Sequence, residues 1–318
     1  MSSATTPSIG ADAPDVPTFQ KLVATNRRTD IIVASIGIVV LMIATAMIAT
    51  VLIDLMITGW PRLINPDFYT NFPSRKPEEA GIISAVVGTT LVMIVTAVIS
   101  VPLSVGAGIY LEEYAPKNWL TDLIEINVSN LAGVPSIIYG LLALGLFVYA
   151  FGLGETILTS GLVLALLILP VIIVATRESI RSIPKELREA AYGLGADKWQ
   201  TVSQYVLPAA RPGILTGTIV GLARAIGEAA PVITIGALTF IAFLPASPVQ
   251  ATPPFINFDW LTSPFTVMPI QLFNWVSRPQ AEFHINAAAT GVVLMAMTLT
   301  MNALAIYIRF QLRKQQRS

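Results

Sequence analysis

Apolar residues in this chain gather into long runs, without the strict alternation of a half-buried strand. A helix needs about 20 consecutive apolar residues to cross a hydrocarbon layer of roughly 30 Å. The pattern predicts six such spans, at 31–58, 82–109, 128–150, 157–176, 212–240 and 285–308. The third is the least regular, because Asn127, Asn130 and Pro135 interrupt its start. The first is too long for the apolar core of a secretory signal and lacks a cleavage flank, so it reads as a retained span. Ahead of it, residues 1–30 are rich in Ser, Thr, Ala, Pro and Asp, and are expected to form a disordered cytoplasmic tail. Residues 31–318 are expected to form a single all-α integral membrane domain.

Basic residues set the expected orientation. With the N-terminus in the cytoplasm, fourteen Lys and Arg fall inside and four, Arg62, Arg75, Lys76 and Arg278, fall outside. The positive-inside rule therefore predicts that both termini are cytoplasmic. Loop 177–211 then lies inside and loop 241–284 outside. The outer loop carries Pro253, Pro254, Trp260, Pro264, Pro269 and Trp275, which suits an ordered surface with aromatic residues near the interface.

Composition narrows the function classes. The chain of 318 residues is 54% hydrophobic and 12% charged, with a mean hydropathy of +0.71. Soluble domains carry about 25% charged residues. A formal net charge of zero gives no nucleic-acid footprint, so no nucleic-acid partner is expected. The absence of cysteine and a lone His284 leave no metal-site pattern. None of the six lysines follows a glycine, so no phosphate-cradling ATPase loop is present. No HExxH or activated-nucleophile pattern occurs either, which argues against an enzyme.

The inside loop reads RESIRSIPKELREAAYGLGADKWQTVSQYVLPAARPG. Pro184 suits a helix start, and Gly193 and Gly195 are predicted to stop that helix in left-handed conformation. A second short helix is predicted from Asp197 to Leu207, with Pro208 ending it. Leu187, Ala190, Ala191 and Leu194 would form an apolar stripe on the first helix. Glu189-Ala190-Ala191, Gly195 and Tyr205-Val206-Leu207-Pro208 resemble the EAA loop of bacterial ABC importer permeases, with Tyr205 where that pattern has Ile. The resemblance implies a cytoplasmic loop that docks into a groove on a separate ATPase, where ATP and Mg would bind; no cofactor is expected on this chain itself. Glu189, Ala190, Ala191, Gly195, Leu207 and Pro208 are its candidate coupling residues. The alternative is an ordinary amphipathic loop packed on its own bundle.

The fifth span holds Arg224 and Glu228, four residues apart and so on one helical face. If the helix enters the membrane near Gly213, Arg224 lies roughly 16 Å deep at 1.5 Å per residue. A charge at mid-membrane costs roughly 2.5–3.5 kcal/mol, so both residues are expected to face a cavity or each other. Gly213, Gly217, Gly221, Ala225 and Ala229 recur beside them and predict close helix approach. Pro231 is predicted to break the ladder one turn beyond Glu228. The functional reading is that Arg224 binds an oxyanion through parallel N–H donors. The competing reading is a self-neutralising pair that fixes packing. Tyr139 and Thr234 offer further hydroxyls, or simply bond neighbouring helices. Asp54, near the outer end of the first span, and His284, bordering the sixth, read chiefly as structural.

ARAIGEAAPVITIGA together with GVPSIIYGLLALGLF at 133–147 resembles the phosphate-specific branch of these permeases. EEAGIISAVVGTTLV at 78–92 and the stretch 267–309 are similar to its A-type subunits (PstA) rather than the C-type. The resemblance implies the type-I (MetI-like) importer architecture in a bacterial cell membrane. It also implies that Ser136, with Arg224 and Glu228, belongs to the substrate pathway. The implied partners are a C-type permease, a pair of ATPase subunits, an extracytoplasmic phosphate-binding protein and membrane lipid. The function so implied is phosphate import by alternating access. A permease for molybdate or sulfate, and a stand-alone carrier or channel, stay open as alternatives.

Overall fold

The structure, a computed structural model, describes residues 16–250 and 255–315, with side chains described only within 29–311. Residues 1–15 of the expected tail, and Pro253 and Pro254, lie outside the described residues. Among the described residues, five helices are long and apolar enough to cross a membrane, and a bent pair makes a sixth if counted as one span.

The chain divides into two units, Met1–Asp54 and Leu55–Ser318. In the first, the described part belongs to α1 (Val16–Leu63). Its large apolar side chains are exposed from Ile31 to Ile53, which suits a helix that is hydrophobic all round. Residues 16–30 are helical rather than part of a disordered tail. Extending an existing helix is far easier than nucleating one, and Gln20, Lys21, Leu22 and Ala24 are good helix formers.

In the second unit, α2 (Asp67–Thr70) precedes α3 (Ile83–Ile109), which runs into a π-helical turn at Tyr110–Tyr114. α4 (Trp119–Leu131) begins where the Asn118 side chain accepts the Thr121 N–H. α5 (Ser136–Ala143) ends in a π-helical stretch, Leu144–Ala150, and this segment lies at 106° to α4. The predicted span 128–150 is therefore broken. Pro135 is the cause, since it takes an extended ψ of 133° and disfavours helix at Val134.

α6 (Ile157–Arg181) is capped by Thr156, and α7 (Lys185–Gly193) follows it. Gly193 is the last helical residue of α7, and of the two glycines Gly195 takes the left-handed backbone, at φ +87°. α8 (Lys198–Gln200) opens with a reciprocal Asp197–Gln200 cap, then passes through a π-helical stretch, Thr201–Val206, into α9 (Leu207–Ile226). Pro208 does not end a helix, which continues from Lys198 to Ile226. A proline ring clashes with the carbonyl four residues back in an α-helix, and the wider turn just before Pro208 relieves that clash.

α10 (Ala230–Thr234) is a separate short helix, so the fifth span is discontinuous. α11 (Met268–Val276) and α12 (Ala281–Gln315) complete the unit. Loop 241–284 thus holds α11, a short 3-10 turn at Asp259–Thr262 and one antiparallel bridge, Val249 to Ile256. Trp260 and Trp275, expected near an interface, are instead buried.

α3, α6 and α9 form the centre, where Leu91, Val95, Leu164, Ile168, Ile172 and Ala225 interdigitate. The small-residue ridge of α9 is what lets it approach α6. A Cβ on Gly213 would meet the Ser179 side chain, one on Gly217 would collide with the Ala175 Cβ, and one on Gly221 would lie 2.9 Å from Ile172. A second cluster sits around α11. There the Arg62 guanidinium lies 5.2 Å from the Phe68 ring, Phe68 and Trp275 are 6.3 Å apart, Trp275 and Phe283 6.5 Å, and Arg278 covers Phe283 at 4.2 Å. Arg62 also donates to the Glu78 carbonyl at 2.8 Å and to the Ala80 carbonyl, tying the 64–80 segment to the end of α1.

Candidate functional site

Arg224 occupies the last turn of α9, where a cation meets the negative end of the helix. Glu228 sits in the break between α9 and α10, with its N–H turned back to Ala225 O at 3.2 Å. The Arg224 Nε donates to Glu228 Oε1 at 3.4 Å. Pro231 lies in the first turn of α10, where its missing N–H is no loss. The break therefore precedes Pro231 instead of following Glu228 by a turn, because a proline disrupts the helix on its N-terminal side.

The pair is not sealed, since the Arg224 side chain is 40% exposed and that of Glu228 20%. Glu228 borders a cavity of about 10 Å³ walled by Thr89, Val92 and Met93 of α3, with Leu164, Val267 and Pro269. That is room for about one water. An oxyanion does not fit there, and Arg224 is not among the residues that wall this cavity.

α5 packs directly on α10. Gly140 makes this possible, since a Cβ there would collide with the Thr234 hydroxyl and lie 2.7 Å from the Pro231 Cα. Tyr139 is buried within Coulombic reach of Arg224 and donates its hydroxyl to Leu131 O at 2.8 Å across the α4–α5 bend. Thr234 donates to Pro231 O at 2.8 Å within its own helix. Tyr139 and Thr234 thus share a junction, with both hydroxyls engaged in backbone bonds. Ser136 is half-buried in the first turn of α5, one helical turn before Tyr139. Asp54 is exposed on α1, and the His284 Nε2 pairs with Arg278 O at 2.9 Å.

At the loop 177–211, α7 exposes Glu189 and Ala190 but buries Ala191, and Gly195 is exposed. Leu207 and Pro208 are half-buried on α9. The predicted apolar stripe does not lie on one face, because Leu194 caps α7 beyond its last turn and is 83% exposed. Tyr192 and Trp199 are exposed beside it, and were not among the predicted coupling residues.

Sequence reasoning also missed an ion network behind this loop. Arg177, buried on α6, meets Glu112 at 3.4 Å and Glu125 of α4 at 2.6 Å. Arg181 forks onto both Glu112 oxygens at 3.1 and 3.0 Å. Arg188 of α7 donates to Glu113 at 2.8 and 3.2 Å, to Ile180 O at 3.1 Å and to Ile183 O at 2.9 Å. The Lys198 ammonium lies 5.0 Å from the Tyr114 ring. Among the described residues no group of three or more His, Asp or Glu is placed to hold a metal.

A family model described as "Binding-protein-dependent transport system inner membrane component" matches residues 100–314. The probable ABC transporter permease YqgI of Bacillus subtilis is 32% identical over 82% of this chain and 90% of its own length. PstA of Yersinia pestis is 34% identical over 73% of this chain and 74% of its own, and PstA 1 of Mycobacterium tuberculosis H37Rv 28% over 98% of both. The inward-facing MetNI methionine ABC transporter shares the fold, at a TM-score of 0.55 and 16% identity, over 73% of this chain and 97% of its own. The chain is therefore a multi-pass membrane protein of the binding-protein-dependent transport system inner membrane component family, on the branch that holds the PstA permeases.

Proposed function

We propose that this chain is the A-type membrane subunit of an ATP-driven phosphate importer. The observation that carries the reading is Arg224 at a helix break, paired with Glu228 yet open on one side. An exposed guanidinium in a membrane-spanning stretch is too costly to leave against lipid, so a second permease subunit covers it. The solute route then runs between the two subunits, with Arg224 offering parallel donors to phosphate and Glu228 releasing it as the anion arrives. Ser136, Tyr139 and Thr234 line the same junction.

The names of the relatives support phosphate as the solute, since several are phosphate transport system permeases. The supporting feature for ATPase docking is the exposed surface of Glu189, Ala190, Tyr192, Leu194 and Trp199, a mixed polar and aromatic face of the kind that seats a helix in a groove. ATP and Mg belong to that partner, an extracytoplasmic binding protein delivers phosphate, and both termini lie in the cytoplasm. Transport proceeds by alternating access, with two global states that expose Arg224 to each side in turn.

Uptake of labelled phosphate by vesicles holding the assembled complex tests the reading. Competition by excess phosphate but not by sulfate or molybdate is expected. Equal competition by those anions, or uptake without ATP, refutes it.

A further inference from the structure

Two adjacent carboxylates at the end of α3 hold two different elements. Glu112 meets Arg177 and Arg181 of α6 at 3.4 and 3.0 Å, whereas Glu113 meets Arg188 of α7 at 2.8 Å. Neighbouring residues in a helical turn point roughly a quarter-turn apart, so adjacency itself directs them to separate partners. The Glu113–Arg188 pair is well shielded, with side chains 10% and 19% exposed, and escapes the screening that weakens surface pairs.

Ala191 is the one buried residue of α7, which also packs on the Thr201–Val206 stretch, and Arg188 ties the helix to Glu113 while also holding Ile180 O and Ile183 O. α7 follows α6 directly along the chain, so a push on α7 reaches α6 through covalent bonds. It reaches the end of α3 directly through Glu113, beside the route through α6, which packs along α3. Toward its other end, roughly 30–35 Å away at 1.5 Å per residue, the 27-residue α3 supplies Thr89, Val92 and Met93 to the wall facing Glu228.

We propose that the Glu113–Arg188 pair is the joint that delivers displacement of α7 to α3, and through α3 to the wall opposite Glu228. Glu113 and Arg188 are then positioning residues for transport, and neither touches the solute. The inference rests on the reading of the chain as an ATP-driven permease.

The test uses the complete transporter in vesicles, with cysteine-free partners. Because this chain itself has no cysteine, Glu113→Cys with Arg188→Cys can be joined by a short bis-maleimide and compared with the unlinked form. Glu113→Gln and Arg188→Gln are the single variants. Assembly is scored by copurification of the ATPase, and coupling by phosphate taken up per ATP hydrolysed. The expected result is normal copurification, a loss of about tenfold in uptake per ATP in the single and unlinked variants, and recovery on linking. Wild-type uptake per ATP in the single variants overturns the joint. So does a deficit that linking leaves unrepaired, or a loss of copurification, each of which assigns the pair to folding alone. Failure of the underlying reading appears separately, as wild-type vesicles that take up no phosphate; coupling is then scored with the anion they do accept.

Discussion

Arg224 and Glu228 face each other across the end of α9, with 3.4 Å between Nε and Oε1 and the helix ladder broken between them. A one-point contact of this kind leaves the terminal guanidinium nitrogens available. Arg224→Gln is expected to reduce phosphate uptake by about 100-fold and Arg224→Lys by about tenfold, since a lysine keeps the charge but loses the fork. Initial uptake rates in the assembled complex check this order. Normal rates in the glutamine variant would remove Arg224 from the solute route.

Glu228 carries a prediction about selectivity. Near neutral pH phosphate retains a proton and sulfate has none, so a carboxylate accepts a hydrogen bond from one and repels the other. Glu228→Gln is expected to admit sulfate about tenfold better relative to phosphate, in an assay that bypasses the binding protein. Unchanged discrimination there places selectivity elsewhere.

Gly217, at the α6–α9 contact, and Gly106, on an open face of α3, carry opposite predictions. Gly217→Val drives methyl groups into Ala175 and is expected to destabilise the complex by about 1–3 kcal/mol. Gly106→Ala adds a methyl where nothing lies within 4 Å, inside α3, and is expected to be neutral or to stabilise by up to about 1 kcal/mol. Thermal melting in detergent distinguishes the two.

Leu194 and Trp199 stand 83% and 66% exposed beside the EAA-like helix. Truncating either to alanine is expected to weaken ATPase copurification by about 1–3 kcal/mol while leaving the melting of the isolated chain unchanged. Ala191→Glu is expected to do the reverse, because that position faces inward and a carboxylate there has no partner.

Much of this was legible in the sequence because membrane burial writes long apolar runs and the EAA-like loop has fixed spacing. The pairing of Arg224 with Glu228 was legible too, since both lie within one helical turn. The broken third span was not, because Pro135 is a local event inside an apolar run. The break before Pro231 was misplaced by reading the proline forward, although its steric effect runs backward. The Glu112 and Glu113 network left no local pattern, since their partners lie 69 and 75 residues away along the chain. The exposure of Leu194 depended on where α7 stopped, and two candidate glycines made that ambiguous.

The column of rings from Phe68 through Trp275 to Phe283 gives this protein an optical handle. Trp275 is fully enclosed, while Trp60, Trp119 and Trp199 are each more than half exposed. Its emission should be blue-shifted and shielded from aqueous quenchers, so red-shifted light from that indole alone would register the opening of the segment around α11 while the helical bundle stays folded.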